Sequence, residues 1–297
     1  MTQVFWKALL IFDVILLVLD GLYIYLMKAR HIPRGGFYGK LGDYHYAHRG
    51  LHVIQSGIPE NSIRSFRLAA NNGYGAELDV RLSHDGRLVV MHDESLKRTT
   101  GVHANVSAVT EQVLNQLTLE RTREKVPFLE DVLPLFNGKT PMLIEIKTEK
   151  NNYKELTEKV MTQLQSHPEL DYMIESFDPR VLYLLRKKYP NVVRGQLSEN
   201  YFKDPECTLS PVLKFILSNL LTNFLTCPDF LAYRFEDRFD LAPGLCRKIW
   251  KPQFFWWVVR SQAEADELTK QGDFIIFEGF PAKRQFLNNY ENADKAE

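Results

Sequence analysis

Four short segments bring together residue types that perform acid–base and phosphate chemistry: His48-Arg49-Gly50, Glu77-Leu78-Asp79-Val80, His92-Asp93 and Glu145-Ile146-Lys147. Each lies in or at the end of a short apolar run of strand length. Side chains at i and i+2 on a strand share a face. Glu77 and Asp79 therefore point one way, with Leu78 and Val80 opposite, and Glu145 and Lys147 do the same around Ile146. Three carboxylates converging beside a lysine repel one another unless something neutralises them. A hard divalent cation on oxygen ligands, Ca²⁺ or Mg²⁺, is the simplest answer. His48 and His92 belong to the residue type that titrates near neutrality and suits proton transfer. Arg49 offers a planar donor fork matched to phosphate oxygens. Together these groups point to phosphoryl transfer, in which cation, arginine and lysine stabilise the charged phosphate while the histidines move protons. Singly, each motif is common: Glu-x-Asp as a solvated strand face, Glu-x-Lys as a surface ion pair of little worth. Their joint placement at successive strand ends carries the argument.

The elements that must position them read as alternating strands and helices. Expected strands are Tyr44–His48, Ala76–Val80, Leu88–His92, Met142–Lys147, Tyr172–Phe177, Val193–Leu197, Phe230–Tyr233, Phe254–Val259 and Phe274–Phe277. Helix-length amphipathic stretches lie between most of them, among them Ile63–Asn71, Tyr153–Gln165, Pro179–Lys188 and Gln262–Gln271. This alternation argues for a parallel sheet closed as a TIM-like (β/α)₈ barrel, whose chemistry sits at the C-terminal strand ends. Nine candidates for eight places leave one strand surplus, and the link Arg81–Arg87 is too short for a helix.

The whole chain has 297 residues, 45% hydrophobic and 25% charged, which excludes wholesale disorder. Lys and Arg total 37, as do Asp and Glu, so the basic surplus of a nucleic-acid binder is missing and no nucleic-acid partner is expected. Five of the eight histidines fall between His45 and His92, the stretch that carries most of the candidate chemistry. Cys207, Cys227 and Cys246 show no CxxC or Cys/His ligand spacing and read as small buried apolar residues, with a single bridge as the alternative.

Residues 8–27 form an apolar run about as long as a bilayer core is thick, interrupted by Asp13 and Asp20 on one helical face. A transmembrane helix acting as a single anchor (1–30) is expected, with a cleaved signal peptide and an amphipathic surface helix as alternatives. Lys28, Arg30, Arg34 and Lys40 outnumber Lys7, which places the catalytic domain on the cytoplasmic side. A Gly-rich linker (31–43), the barrel (44–285) and a polar tail (286–297) follow. Within the barrel, the apolar segment 211–227 reads as a buried or lid helix, or as a second membrane-touching one.

The ordered motifs His48-Arg49-Gly50, Pro59-Glu60-Asn61-Ser62, Glu77-Leu78-Asp79-Val80, Asp85-Gly86, Val89-Val90-Met91-His92-Asp93, Arg98-Thr99-Thr100 and Glu145-Ile146-Lys147 resemble those of the glycerophosphodiester phosphodiesterases. Ser176-Phe177-Asp178, Trp257-Val258-Val259-Arg260 and Phe274-Ile275-Ile276-Phe277-Glu278 resemble later family segments more loosely. The resemblance runs from about residue 44 to 281. It implies a TIM-like barrel and metal-dependent hydrolysis of glycerophosphodiesters to glycerol 3-phosphate and an alcohol. It further implies that Glu77, Asp79 and Glu145 hold Ca²⁺ or Mg²⁺ and that His48 and His92 form the acid/base pair. Arg49 and Lys147 would bind phosphate, Trp257 would line the pocket, and Glu60 would stand near the metal. Arg260 stands where the family has Asn, and Phe-Glu-Gly-Phe where it has Thr-Asp-Tyr-Pro, departures that bear on the alcohol side of the pocket. The run 8–27 and the segment 211–227 motivate an alternative, lysophospholipase D-like hydrolysis of lysophospholipids at the membrane bilayer. A non-catalytic membrane-anchored binding protein is the third reading.

Overall fold

The computed structural model describes residues 2–31 and 41–283, so the expected linker falls mostly, and the expected polar tail wholly, outside the described residues. Its strands are β1 (Tyr46–Ala47), β2 (Gly75–Leu82), β3 (Leu88–Val90), β4 (Met142–Ile146), β5 (Tyr172–Ser176), β6 (Arg194–Ser198), β7 (Phe230–Arg234), β8 (Gln253–Val259) and β9 (Phe274–Phe277). Its helices are α1 (Thr2–Leu26), α2 (Ile63–Asn71), α3 (Lys97–Thr100), α4 (Glu111–Leu114), α5 (Leu129–Phe136), α6 (Tyr153–Gln165), α7 (Pro179–Lys188), α8 (Pro211–Ser218), α9 (Asn223–Thr226), α10 (Leu241–Ile249) and α11 (Gln262–Lys270).

Eight strands, β1, β2 and β4 to β9, run parallel, and β1 closes the ring by pairing with both β2 and β9. The fold is the expected TIM-like (β/α)₈ barrel preceded by an apolar helix. The surplus strand is β3, which pairs antiparallel with β2, Val80 opposite Val90 and Leu82 opposite Leu88. The short link Arg81–Arg87 is thus the turn of a hairpin that rises above the barrel and returns. Strand β1 is shorter than the expected Tyr44–His48, and Leu88–His92 shortens to β3 because its last two residues leave the ladder.

Alternation sorts the side chains into two cores, as a sheet buried on both faces requires. Ala76, Leu78 and Val80 of β2 and Met142, Ile144 and Ile146 of β4 pack outward against the helices. Tyr46, Leu143, Met173, Leu197, Phe230, Ala232, Phe255 and Ile276 fill the lumen. The inward positions nearest the C-terminal ends are the polar ones. A third small cluster, including Met91, Leu96, Leu114 and Phe128, supports the excursion from β3 to α5.

Helix α1 is long and apolar enough over Gln3–Leu26 to cross a membrane, and no residue of its apolar window is buried. Only its C-terminal end meets the barrel. There Met27 and Ala29 are buried, Trp250 Nε1 donates to the Ile24 carbonyl at 3.0 Å, and Arg30 pairs with Asp229 at 2.7 Å. The apolar segment 211–227 is not one helix. It breaks into α8 and α9 around buried Leu220, whose backbone adopts φ 58°. The three cysteines are free, and only Cys246 is buried, so Cys207 and Cys227 depart from the expected burial.

Gly195 of β6 shows how tightly the lumen is filled. It is the register partner of Phe230, and a Cβ there lies 2.0 Å from that ring. The ring has little room to yield, because Phe255 packs on it at 4.6 Å between centroids. Gly195→Ala therefore overpacks the core and is expected to cost about 1–3 kcal/mol. The measurement is the denaturant midpoint of the purified protein, and Phe230→Leu in the same chain recovers part of the loss.

Candidate active site

The first histidine is set by a turn that only its own sequence permits. Gly50 adopts φ +78°, and a Cβ on it meets Ser65 Oγ at 2.4 Å and the Ser65 backbone carbon at 2.9 Å, so glycine is required where the turn closes onto α2. Ser62 caps α2 reciprocally with Ser65, fixing that helix's first turn. Arg49 is left-handed at φ 54°, a conformation costing of order 1–3 kcal/mol when held. Its N–H donates to Glu77 Oε2 at 2.8 Å, and its carbonyl accepts from Asn61 N–H at 2.9 Å.

The carboxylates converge because of strand register. Asp79, Glu145 and Glu175 are successive partners across β2, β4 and β5, with Glu77 two residues earlier on the same face. Ligand oxygens of Glu77, Asp79 and Glu145 lie within 4.8 Å of one another, and all three residues are buried. This is the one such group among the described residues. Lys147 Nζ stands 2.7 Å from Glu145 Oε1 and 3.2 Å from Asp79 Oδ1. Asn61 Nδ2 donates to Asp79 Oδ2 at 2.8 Å.

The energetics of this crowd are legible in its protonation. Burial, then the carboxylates of Asp79, Glu145 and Glu175, push the Glu77 carboxyl well above its usual range. Burial and Glu145 do the same to Glu175. For Asp79 burial acts against ionisation, but Lys147, His92 and Arg49 overcome it and hold the group well below the usual carboxylate range. Asp79 Oδ1 is buried without a hydrogen bond, as is Glu175 Oε2. An all-oxygen donor set whose Asp79 Oδ1 meets only the Lys147 ammonium, with a suppressed charge at Glu77, fits a hard divalent cation.

The second histidine arrives differently from the expectation that it ends a barrel strand. It follows β3, whose hairpin returns toward the mouth: Met91 N–H donates to the Asp79 carbonyl at 3.0 Å, and Arg81 Nε and Nη2 hold the His92 carbonyl at 2.9 and 2.7 Å. His48 and His92 line one cavity of about 510 Å³ with Arg49, Glu77, Glu145, Lys147, Glu175 and Trp257, a size usual for small-molecule sites. Each ring has a carboxylate on Nδ1: Glu278 Oε2 at 2.7 Å from His48 and Asp93 Oδ1 at 2.7 Å from His92. That leaves Nε2 of each ring for chemistry. Burial pushes His48 down to about 4, against the pull of Glu278, so its imidazole is neutral at neutral pH. The bond from His48 holds Glu278 down to about 2.

Every residue singled out from the sequence lies at this end of the barrel, but not all in one group. Glu60 stands outside the carboxylate triad. It accepts from Arg49 Nη1 at 3.0 Å and from Arg98 Nη2 at 2.6 Å. Arg98 also donates through Nε to Asp93 at 2.6 Å, which links the carboxylate behind His92 to the partner of Arg49. Trp257 packs edge-on against Phe177, 5.6 Å between centroids. Sequence reasoning missed Glu278, Glu175, Asn61 and the Arg98 bridge. In the sequence Glu278 stands out only as a departure on the alcohol side of the pocket, whereas it touches His48. Its signal is its place at the end of β9, the strand that closes the ring onto β1. A cleft of about 910 Å³ at the opposite end of the barrel, among Leu41, Asp171, Tyr172 and Tyr189, brings no such group together.

The comparisons with known proteins agree with this geometry. Residues 48–272 match the model of the glycerophosphoryl diester phosphodiesterase family. A glycerophosphodiester phosphodiesterase of Bacillus altitudinis is 32% identical over 177 residues, which is 56% of this chain and 71% of the relative. The solved glycerophosphodiester phosphodiesterase of Thermotoga maritima is 26% identical with a TM-score of 0.58, covering 79% of this chain and 94% of that one. An Oleispira antarctica phosphodiesterase, solved in complex with the product sn-glycerol-3-phosphate, has a TM-score of 0.63 at 23% identity, covers 79% and 92%, and shares the fold. A barrel with this mouth, matched over most of its length, leaves no place for the non-catalytic reading: the chain belongs to the glycerophosphoryl diester phosphodiesterase family and is an enzyme of that class.

Proposed function

We propose that the chain hydrolyses glycerophosphodiesters to glycerol 3-phosphate and an alcohol, using a divalent cation, Ca²⁺ or Mg²⁺, held by Glu77, Asp79 and Glu145. The observation that carries this reading is one cavity lined by two histidines, each with a carboxylate on Nδ1, and by Glu77 and Glu145, whose ligand oxygens lie within 4.8 Å of those of buried Asp79. The names of the relatives and the product bound to the Oleispira protein support it.

When bound, the cation supplies Lewis-acid stabilisation of charge on a phosphate oxygen. Arg49 and Lys147 bind the remaining phosphate oxygens, Arg49 with the geometry of a fork whose other face is held by Glu60. Neutral His48, its Nδ1–H donating a hydrogen bond to Glu278, takes a proton at Nε2 from the attacking hydroxyl, either water or the glycerol 2-hydroxyl. The new oxygen–phosphorus bond forms as the phosphorus–alcohol bond breaks, and His92 delivers a proton to the departing oxygen. Where the 2-hydroxyl attacks, the product is a cyclic phosphate, and water then adds to phosphorus as the bond to the 2-oxygen breaks and that oxygen takes back a proton from His48. Trp257, its Nε1 buried without an acceptor, packs against the alcohol side. We read α1 as a single-pass anchor with the barrel on the cytoplasmic side, on the excess of Lys28, Arg30, Arg34 and Lys40 over Lys7.

A second reading, lysophospholipid as the substrate in the manner of a lysophospholipase D, draws on the exposed Val212, Leu213 and Phe215 of α8. The comparison of kcat/KM for lysophosphatidylcholine and glycerophosphocholine decides it: a preference for the lipid supports it, and no preference removes it.

Two further outcomes are expected. His48→Ala and His92→Ala each lower kcat/KM on glycerophosphocholine by about 10²–10⁴-fold, chelation abolishes turnover, and Glu77→Gln resists restoration by added cation. Full turnover in either histidine variant overturns the mechanism. In an NMR titration of the cation-free protein, the His48 ring stays neutral from alkaline pH down to about 4. Glu278→Gln removes the anion that favours the imidazolium, so the His48 midpoint falls further. It also frees the ring to take the wrong tautomer, lowering kcat by about tenfold or more.

A further inference from the structure

We propose that the rim formed by α8 with the β6–α8 and β7–α10 connections docks onto the surface of the phospholipid bilayer that α1 crosses, which sets the active-site mouth beside the lipid headgroups. The proposal rests on the reading of α1 as a membrane span. Outside α1, twelve large apolar side chains are exposed among the described residues, and seven of them fall between Phe202 and Leu241. Scattered apolar residues are normal on a surface, but a concentration in one stretch, from the β6–α8 connection through α8 and α9 to the first residue of α10, marks an interaction face. The most exposed are Phe239 at 82%, Val212 at 67%, Leu241 at 66% and Phe202 at 57%.

What covers this face is indicated by its attachment to α1. Tyr23 Oη donates to Asn219 Oδ1 at 2.5 Å, and Asn219 is the C-cap of α8. Tyr25 lies 6.0 Å from the Phe224 ring, and Lys28 lies over Trp250 at 5.9 Å. Tyr, Trp and Lys are the residue types that anchor at a membrane–water interface. The 24 residues Gln3–Leu26 rise about 36 Å as a helix, more than the roughly 30 Å of a hydrocarbon core. The last turn of α1 therefore lies at interface depth. Helix α8, about 12 Å long and bonded to that turn, lies at the same level.

The charges around the patch agree with a lipid surface. Arg238 stacks on Phe235 at 3.9 Å and Phe239 at 4.3 Å, a cation beside the most exposed ring and suited to lipid phosphates. Most of the nearby acids are already paired: Asp237 and Asp240 with Lys203, Glu199 with Arg234, and Glu236 with Arg260. The same connections carry Glu199, Asp204 and Arg234 on the cavity wall. A phosphodiester held in the bilayer thus reaches the site without leaving the membrane.

The test uses the full chain reconstituted in phosphatidylcholine and phosphatidylglycerol vesicles with brominated acyl chains, which quench nearby tryptophan. Phe215→Trp and Phe239→Trp each add emission, and most of the added emission is expected to be lost to the quencher. Emission added by Glu169→Trp, exposed before β5 at the opposite end of the barrel, is expected to survive. Rim tryptophans that stay bright, in protein that still sediments with the vesicles after a carbonate wash, overturn the docking and leave the anchor standing. Protein that remains in the supernatant overturns both. Neither readout depends on turnover, so failure to hydrolyse glycerophosphocholine bears on the proposed reaction alone.

Discussion

Charge balance at the barrel mouth constrains the rest of the molecule. Four carboxylates, Glu77, Asp79, Glu145 and Glu175, are buried within one cavity wall or just beneath it, three of them on neighbouring strands in direct register. Parallel strands set that register, so the barrel cannot relax the repulsion by sliding one strand without turning its apolar face away from the helices. Compensation has to come from outside the ladder. Lys147 supplies one cation from the strand end, Arg49 supplies another from a strained turn, and Asn61 supplies a neutral donor. Even so, Glu77 and Glu175 are pushed toward the protonated state, which is the deficit a divalent cation would fill.

The two histidines reach this centre on unlike supports. His48 follows a two-residue barrel strand and depends on Gly50 to let its turn lie against α2. His92 hangs from a hairpin outside the ring and depends on Arg81 gripping its carbonyl. Their carboxylates differ as well: Asp93 is adjacent in sequence, while Glu278 comes from the far end of the chain through closure of the barrel. Arg98 ties the two sides together by bridging Asp93 and Glu60. Acid and base are therefore held by separate elements, each oriented by its own anion, and one chain of ion pairs sets their relation.

Much of this was legible in the sequence because it rests on short-range rules. The i, i+2 spacing of Glu77 and Asp79 and of Glu145 and Lys147 states which residues share a face, and strand–helix alternation states that the sheet is parallel. What was not legible depends on register and closure. Nothing local announces that Glu175 stands level with Glu145, because that follows from the pairing of β4 with β5. Nothing near Glu278 announces His48, because β9 meets β1 only when the ring shuts. The hairpin was hidden for a related reason: Leu88–Val90 has the composition of any barrel strand, and only the brevity of Arg81–Arg87 betrays its reversal. In the segment 211–227, composition alone could not locate the break at Leu220.

The joint between α1 and the barrel has a mechanical meaning. Met27 and Ala29 are buried, Arg30 is paired with Asp229, and the Ile24 carbonyl is bonded to Trp250. The helix is thus bolted to the flank of the enzyme, whatever path the chain takes before β1. A catalytic head on a slack leash tumbles and faces its surface only part of the time. A head bolted to its post keeps one bearing, and if that post stands in a bilayer, the search for substrate collapses from a volume to a plane swept by lateral diffusion.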